Sequence, residues 1–265
     1  MKKRIKLIIW PIVYLVLIIN VCFSFILVFR SYYYRSIFVH GISMEPTLNG
    51  ELSGRSDYGI IDDHTSAINA IKRFQIITTY YPFTDSDYVG GYVHGQTNVV
   101  DEVNSSYKIK RVYGLPGETI RFDVDLDKYE TIKGCSTQEA FTEPVQKIAQ
   151  ECIKFYVKKT GDLNFVEQKI TFKRKIDVKK IPNYANFEFE LQSDEYWVMG
   201  DNYSASSDCF NRNPKHPIYK DNIVGVLIAI EGTCKIEGST DKNLDGTKSS
   251  YRCLQRKRYL VPKFF

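Results

Sequence analysis

Tyr107-Lys108-Ile109-Lys110-Arg111-Val112, running on into Tyr113-Gly114-Leu115-Pro116-Gly117-Glu118, alternates in side-chain character and then breaks at Gly and Pro. In a strand one residue in two faces the same side of its sheet, so the segment reads as a strand closed by a turn. The same pattern recurs on either side of it. Residues 36–39, 76–81, 119–122, 167–172, 187–191, 196–199 and 223–230 are rich in β-branched and aromatic residues, with Gly, Pro, Asn and Asp between them. A mostly β chain is expected, with one short helix around residues 139–151 and a polar loop or hairpin tip over 232–250.

One segment departs from this pattern. Residues 7–29 carry no charged side chain, and a helix of that span is about 35 Å long, enough to cross a roughly 30 Å hydrocarbon core. A cleavable leader has a shorter apolar core followed by a small-x-small site; Arg30-Ser31-Tyr32-Tyr33-Tyr34-Arg35 follows instead, so the run reads as an uncleaved anchor. Lys2, Lys3, Arg4 and Lys6 precede it and only Arg30 and Arg35 closely follow, which puts the N-terminus in the cytoplasm and the rest outside. Tyr32, Tyr33, Tyr34 and Phe38 suit the membrane interface.

Hydrophobic content of 43% with 19 Tyr and 16 Phe provides for a sizeable core and excludes a disordered chain. The expected division is a cytoplasmic N-terminus and transmembrane helix over 1–30, a β-rich domain over 31–122 and 194–265, and an inserted smaller subdomain over 123–193. Net charge is only +5. Basic clusters at Lys173-Arg174-Lys175, Lys179-Lys180 and Arg256-Lys257-Arg258 read as solvated faces or as contacts to anionic lipid; nucleic acid is not an expected partner outside the cell. Outside the anchor, which holds Cys22, lie Cys135, Cys152, Cys209, Cys234 and Cys253. Proximity favours Cys135 with Cys152 and Cys234 with Cys253, leaving Cys209 free. No C-x-x-C or H-E-x-x-H is present, so neither a metal nor a cofactor is expected.

Ser43-Met44-Glu45-Pro46-Thr47-Leu48 follows shortly after the anchor. Pro46 restricts Glu45 to extended geometry and fixes its own φ, so this stretch is expected to be stiff and non-helical, presenting the Ser43 hydroxyl at a sheet edge. Gly41 lets a substrate backbone approach, and the Ser43 N–H is placed to stabilise an oxyanion. A serine needs a base, and a lysine serves only when neutral. That requires a reference pKa of about 10.4 to fall by roughly three units, for which burial among apolar groups is the usual cause. Lys110 fits, on the core side of its strand; Lys108 shares that face and must be the exposed one.

A third block, Tyr196-Trp197-Val198-Met199-Gly200-Asp201-Asn202-Tyr203-Ser204-Ala205-Ser206-Ser207-Asp208, completes a pattern. The chain resembles the bacterial type I signal peptidases, the membrane-anchored Ser/Lys leader peptidases. They carry a Ser-Met-x-Pro-Thr-Leu box, a Lys-Arg-Val-x-Gly-x-Pro-Gly-Asp/Glu box and a Gly-Asp-Asn box with Ser-x-Asp close behind. All three stand here in order, and the resemblance covers residues 38–230. It implies Ser43 as nucleophile, Lys110 as general base, Ser206 orienting the Lys110 amine, and Asp201, Asn202 and Asp208 bracing the loop. Met44 would line the floor of the substrate groove. Two departures stand out: Gly41 where some relatives have a serine that completes the oxyanion hole, and Asp208-Cys209-Phe210 where an arginine commonly pairs with the aspartate. Arg212 is the nearest substitute.

The expected substrates are signal-peptide-bearing preproteins bound extended at the outer membrane surface, with shallow pockets admitting small residues at alternate positions before the cut. Other readings are a processing peptidase dedicated to one pilin-like or conjugation substrate, and a non-catalytic tethered β-domain that binds peptides. A Ser-His-Asp hydrolase using His40, His64, His94 or His216 lacks a Gly-x-Ser-x-Gly elbow. Asp241-Lys242-Asn243-Leu244-Asp245-Gly246 imitates a calcium loop, but Arg252 stands where Glu is needed.

Overall fold

The computed structural model describes residues 2–50, 55–82, 105–211, 215–237 and 252–265. Helix α1 (Lys2–Tyr33) leads directly into β1 (Tyr34–Phe38), followed by β2 (Ser56–Asp62), α2 (Thr65–Asn69), β3 (Ile76–Pro82) and β4 (Ser105–Gly114). Then come β5 (Glu118–Val124), α3 (Leu126–Glu130), α4 (Glu143–Cys152), β6 (Ile153–Lys159), β7 (Val166–Glu167) and β8 (Phe187–Glu190). The chain closes with β9 (Glu195–Met199), β10 (Ile218–Tyr219), β11 (Ile223–Glu237) and β12 (Arg252–Phe264). The fold is mostly β behind an apolar N-terminal helix.

Within α1, Trp10–Val28 is long and apolar enough to cross a membrane, and none of it is buried against the protein. Asn20 within it is satisfied locally: its Nδ2 donates to Val16 O at 2.8 Å.

The strands form two antiparallel sheets. The larger runs β1-β2-β11-β3-β4-β9-β10, with β12 also on β11; the smaller runs β7-β6-β5-β8. β5 and β6 alternate buried and half-buried residues, as strands covered on one face do, whereas every residue of β9 is buried. The smaller sheet begins at β5, which sequence patterning assigned to the first segment. The two sheets share one core, in which Val112, Tyr113, Phe122, Phe155, Tyr184, Trp197 and Phe210 belong to a single cluster. A second, smaller cluster of Val39, Met44, Leu48, Ile61, Ile76, Leu227 and Ile230 lies against the strands that follow the anchor.

Strand register carries the anchor's level across the larger sheet. Tyr34 pairs with Asp62, Asp62 with Val226, Val226 with Ile77, and Ile77 with Lys110. Lys110 is thus level with the first residue after the helix.

Several local expectations are corrected. Of the strand expected over 167–172, only Glu167 lies in a strand, β7; Phe172 instead packs edge-on to Phe74 and Tyr113, half-buried against the core rather than in a ladder. The helix expected around 139–151 is a 3₁₀ turn (Glu139–Phe141) and then α4 (Glu143–Cys152), which carries Pro144 in its first turn, where proline is suited. The expected polar loop from 232 is strand up to Glu237, and residues 238–251, with the calcium-loop imitation, lie outside the described residues. Cys135 and Cys152 are free thiols, as is Cys22, and Cys209 forms no disulfide, so the expected Cys135–Cys152 bridge is absent: Cys152 is buried at the end of α4, against the β-core. Cys234 is disulfide-bonded; the side chain of its expected partner Cys253 lies outside the described residues.

Candidate active site

The segment after β1 turns rather than running extended. Glu45 N donates to Ile42 O at 3.1 Å and Leu48 N to Met44 O at 3.0 Å, around a cis Glu45–Pro46 bond. Gly41 has φ +77°, a conformation that favours glycine, and a Cβ at Gly50 would collide with the Gly41 carbonyl. Close approach of these two glycines sets the loop that carries Ser43. Met44 and Leu48 are buried beneath it in the smaller core, so Met44 supports Ser43 from below and is only 1% exposed.

β4 brings Lys110 to this loop. Lys110 Nζ donates to Ser43 Oγ at 2.8 Å and to Ile109 O at 3.0 Å. Lys110 is 2% exposed, while Ser43 and Lys108 are half-buried. Burial lowers the Lys110 pKa to about 8; the Asp208 carboxylate pulls against this fall, Lys108 adds to it, and Cys209 and Asp201 oppose it more weakly. An amine with that pKa is substantially neutral just above physiological pH, which an ordinary lysine is not.

The Gly-Asp-Asn box holds the serine loop in place. Asn202 N donates to Ser43 O at 2.9 Å, and Asn202 Nδ2 to Ile42 O at 3.0 Å. A Cβ at Gly200 would collide with Ser43 O and with the Ser206 side chain, so a residue without one is required there. Asp201 accepts from Arg111 Nε at 2.8 Å and from an Arg111 terminal nitrogen at 2.6 Å, and from the Thr47 hydroxyl. Arg111 in turn donates to Phe74 O at 2.7 Å and lies 3.9 Å over the Phe172 ring. One buried ion pair therefore joins all three boxes.

Asp208 is fully buried and accepts from the backbone N–H groups of Gly200, Phe210 and Asn211 at 2.9, 3.1 and 3.1 Å. Burial raises its pKa, against the Ser206 side chain, the Gly200 N–H, the charge of Lys110 and the Asn211 N–H. Arg212, the expected substitute partner, lies outside the described residues. The Ser206 hydroxyl is buried beside Asp208 without a well-formed hydrogen bond; the Lys110 amine is held by Ile109 O instead. Asn202-Tyr203, which opens a glycosylation-like triplet, is buried in this site.

Arg111 and Thr47 are site residues that residue-type reasoning passed over. Both stand inside the quoted boxes, but the buried Asp201 carboxylate that needs a cation is evident only in the folded chain.

A family description, "Signal peptidase, peptidase S26", matches residues 10–230. The chain belongs to this signal peptidase family. No curated protein matches its sequence. As a signal peptidase it is a hydrolase of the serine protease class, acting on preproteins that carry signal peptides, and its apolar helix is that of a membrane-anchored protein.

Proposed function

We propose that this signal peptidase cuts exported preproteins after small-x-small sites, with Ser43 as nucleophile and Lys110 as general base, on the outer face of the membrane. The observation that carries the reading is the 2.8 Å contact between Ser43 Oγ and an amine that is 2% exposed. As Ser43 Oγ attacks the scissile carbonyl carbon, its proton passes to the neutral Lys110 amine. The resulting ammonium then protonates the leaving amine of the mature protein. In the second half Lys110 takes a proton from water, whose oxygen attacks the acyl ester, and returns it to Ser43 Oγ as the ester bond breaks and the carboxylic acid leaves. The Ser43 N–H donates to no acceptor among the described residues and is the proposed donor to the oxyanion.

Asp201, Asn202 and Asp208 act in this reading as braces, through Arg111, the Ser43 loop and the Gly200 backbone respectively, and Ser206 stands beside the Asp208 carboxylate. Gly41 and Met44 shape the substrate side, Met44 from beneath. The cytoplasmic N-terminus rests on the Lys and Arg excess before the anchor.

The test is a reporter precursor with an Ala-x-Ala site, incubated with the full chain in liposomes. Cleavage by wild type that disappears in Ser43→Ala and Lys110→Ala supports the reading. Binding without cleavage by wild type would leave a tethered peptide-binding domain, and cleavage of one precursor from a broad panel would indicate a dedicated processing enzyme.

A further inference from the structure

Between β7 and β8 the insertion comes back to the Gly-Asp-Asn loop. Lys175 bridges to Asn202 in parallel: Lys175 N donates to Asp201 O at 2.8 Å, and Tyr203 N to Lys175 O at 2.7 Å. In extended chain alternate peptide groups point opposite ways, so these two face Lys175 while Asn202 N faces Ser43 O. Further along the insertion, Lys180 Nζ donates to Ser204 O at 2.9 Å. The Ser204 hydroxyl donates to Asn202 Oδ1 at 2.5 Å, which leaves the other end of that amide, Nδ2, to hold Ile42 O. Asn202 thus stands between the insertion on one side and the Ser43 loop on the other.

Arg174 backs this contact from within the core. It is 4% exposed, its guanidinium lies 5.5 Å from the centre of the Tyr203 ring, and Nη2 donates to Gln150 O near the end of α4. No carboxylate pairs with it among the described residues, and Nε and Nη1 make no well-formed hydrogen bond, with the Tyr203 hydroxyl beside them. That hydroxyl donates to the Tyr113 hydroxyl at 2.6 Å, and Tyr113 follows Lys110 on β4. Tyr184, also from the insertion, stacks on Tyr203 with ring centres 5.3 Å apart. A guanidinium keeps its charge when buried. Without a carboxylate partner it costs stability that a well-packed apolar residue of its size would not. What the charge does here is join α4, Tyr203 and, through the paired hydroxyls, the strand that carries Lys110.

We propose that the insertion is a working arm of the active site, with Arg174, Lys180 and the Lys175 main chain as positioning groups that act on Ser43 through Tyr203, Ser204 and Asn202. Without the arm Asn202 keeps its bonds to the Ser43 loop but loses the frame that fixes them, and the Ser43 hydroxyl drifts from the Lys110 amine. Such a drift lowers turnover and leaves substrate binding alone. The inference rests on the reading of Ser43 and Lys110 as the reacting pair, but the arm's hold on the loop is measurable without it.

The test uses the full chain in detergent with Arg174→Met, which removes the charge within the core, and with Lys180→Met, which removes one hold at a half-buried position. Amide hydrogen exchange, read by mass spectrometry, reports the loop directly: residues 200–206 and 41–48 are expected to exchange several-fold faster in both variants. For precursor cleavage, kcat is expected to fall about tenfold or more in Arg174→Met and a few-fold in Lys180→Met, with KM within about twofold of wild type and the pH midpoint unmoved. In an Asn202→Ala background Arg174→Met should lower kcat by little more, because its route to Ser43 is already cut. Val157→Ala, on β6 of the smaller sheet, should lower the melting temperature and leave kcat as in wild type. Unchanged exchange over 200–206 overturns the proposal, whatever the nucleophile. So does faster exchange with an unchanged kcat, which would make the arm a structural support only. An equal loss of kcat with and without Asn202 overturns it too, because the effect would then reach Ser43 by another route. Failure of the reacting pair itself shows separately, in Ser43→Ala, which leaves the arm intact.

Discussion

Lys110 Nζ donates to Ser43 Oγ across 2.8 Å, although 67 residues separate them in the chain. The amine comes from a central strand and the hydroxyl from a loop after the first strand, and only the sheet brings them together. As the proposed reactants, Ser43→Ala and Lys110→Met are each expected to lower precursor cleavage by about a thousandfold or more. Their melting temperatures in detergent should stay at or above that of wild type. A cleavage rate close to wild type in either variant removes that residue from the mechanism.

The pH dependence follows from the same amine. Cleavage should rise with pH to about 8, where Lys110 loses its proton, and level off above it. A rate that keeps climbing towards 10.5, the ordinary lysine value, would mean a hydrated amine.

Stability should respond in the same direction. The unfolded chain keeps the Lys110 proton up to about 10.5 and the folded chain releases it at about 8, so between these values the unfolded state binds more protons. Folding stability therefore gains about 3 kcal/mol from this group as pH rises through that window, and below it the penalty is complete. Lys110→Met removes the penalty: the variant should be the more stable protein below pH 8, with the gap closing by about 10.5. Thermal unfolding of both proteins across that range, read as a difference, checks it.

The Arg111–Asp201 pair is buried on both sides. Asp201→Asn strands a guanidinium and is expected to destabilise by about 3 kcal/mol or more. Arg111→Lys keeps the charge but loses the two-pronged contact and the stacking on Phe172, so it should also lower the melting temperature. Changing both residues should cost less than the sum of the two changes; strict additivity in that cycle would show that the pair is not coupled.

Gly200→Ala tests the packing beneath the serine. The added methyl meets the Ser43 carbonyl oxygen and the Ser206 side chain, so the Ser43 loop must move. A displacement of that size is expected to lower cleavage by about a hundredfold, with a much smaller effect on the melting temperature. Unchanged kinetics would place the Ser43 loop elsewhere.

The alternation around Lys110, the charge-free run before the first strand and the three boxes were all legible in the sequence, because period, length and spacing are local properties of a chain. β2, β6, β10 and β12 were not read. β2 is mostly buried and begins on the polar Ser56 and Asp57, and β12 is mostly exposed, so neither shows the half-buried alternation that marks a strand. The expected bridge between Cys135 and Cys152 failed because closeness in sequence does not fix where a thiol points once a helix end is packed into a core. Arg111 as the partner of Asp201 and Thr47, and Ile109 O rather than Ser206 as the second hold on the amine, appeared only in the folded chain. Lys108 and Lys110 are the same residue type on the same face of one strand, yet Lys110 is buried while Lys108, expected to be exposed, is half-buried. The difference lies in what the rest of the chain packs around each, and burial of that kind is a property of the tertiary structure that no residue carries by itself.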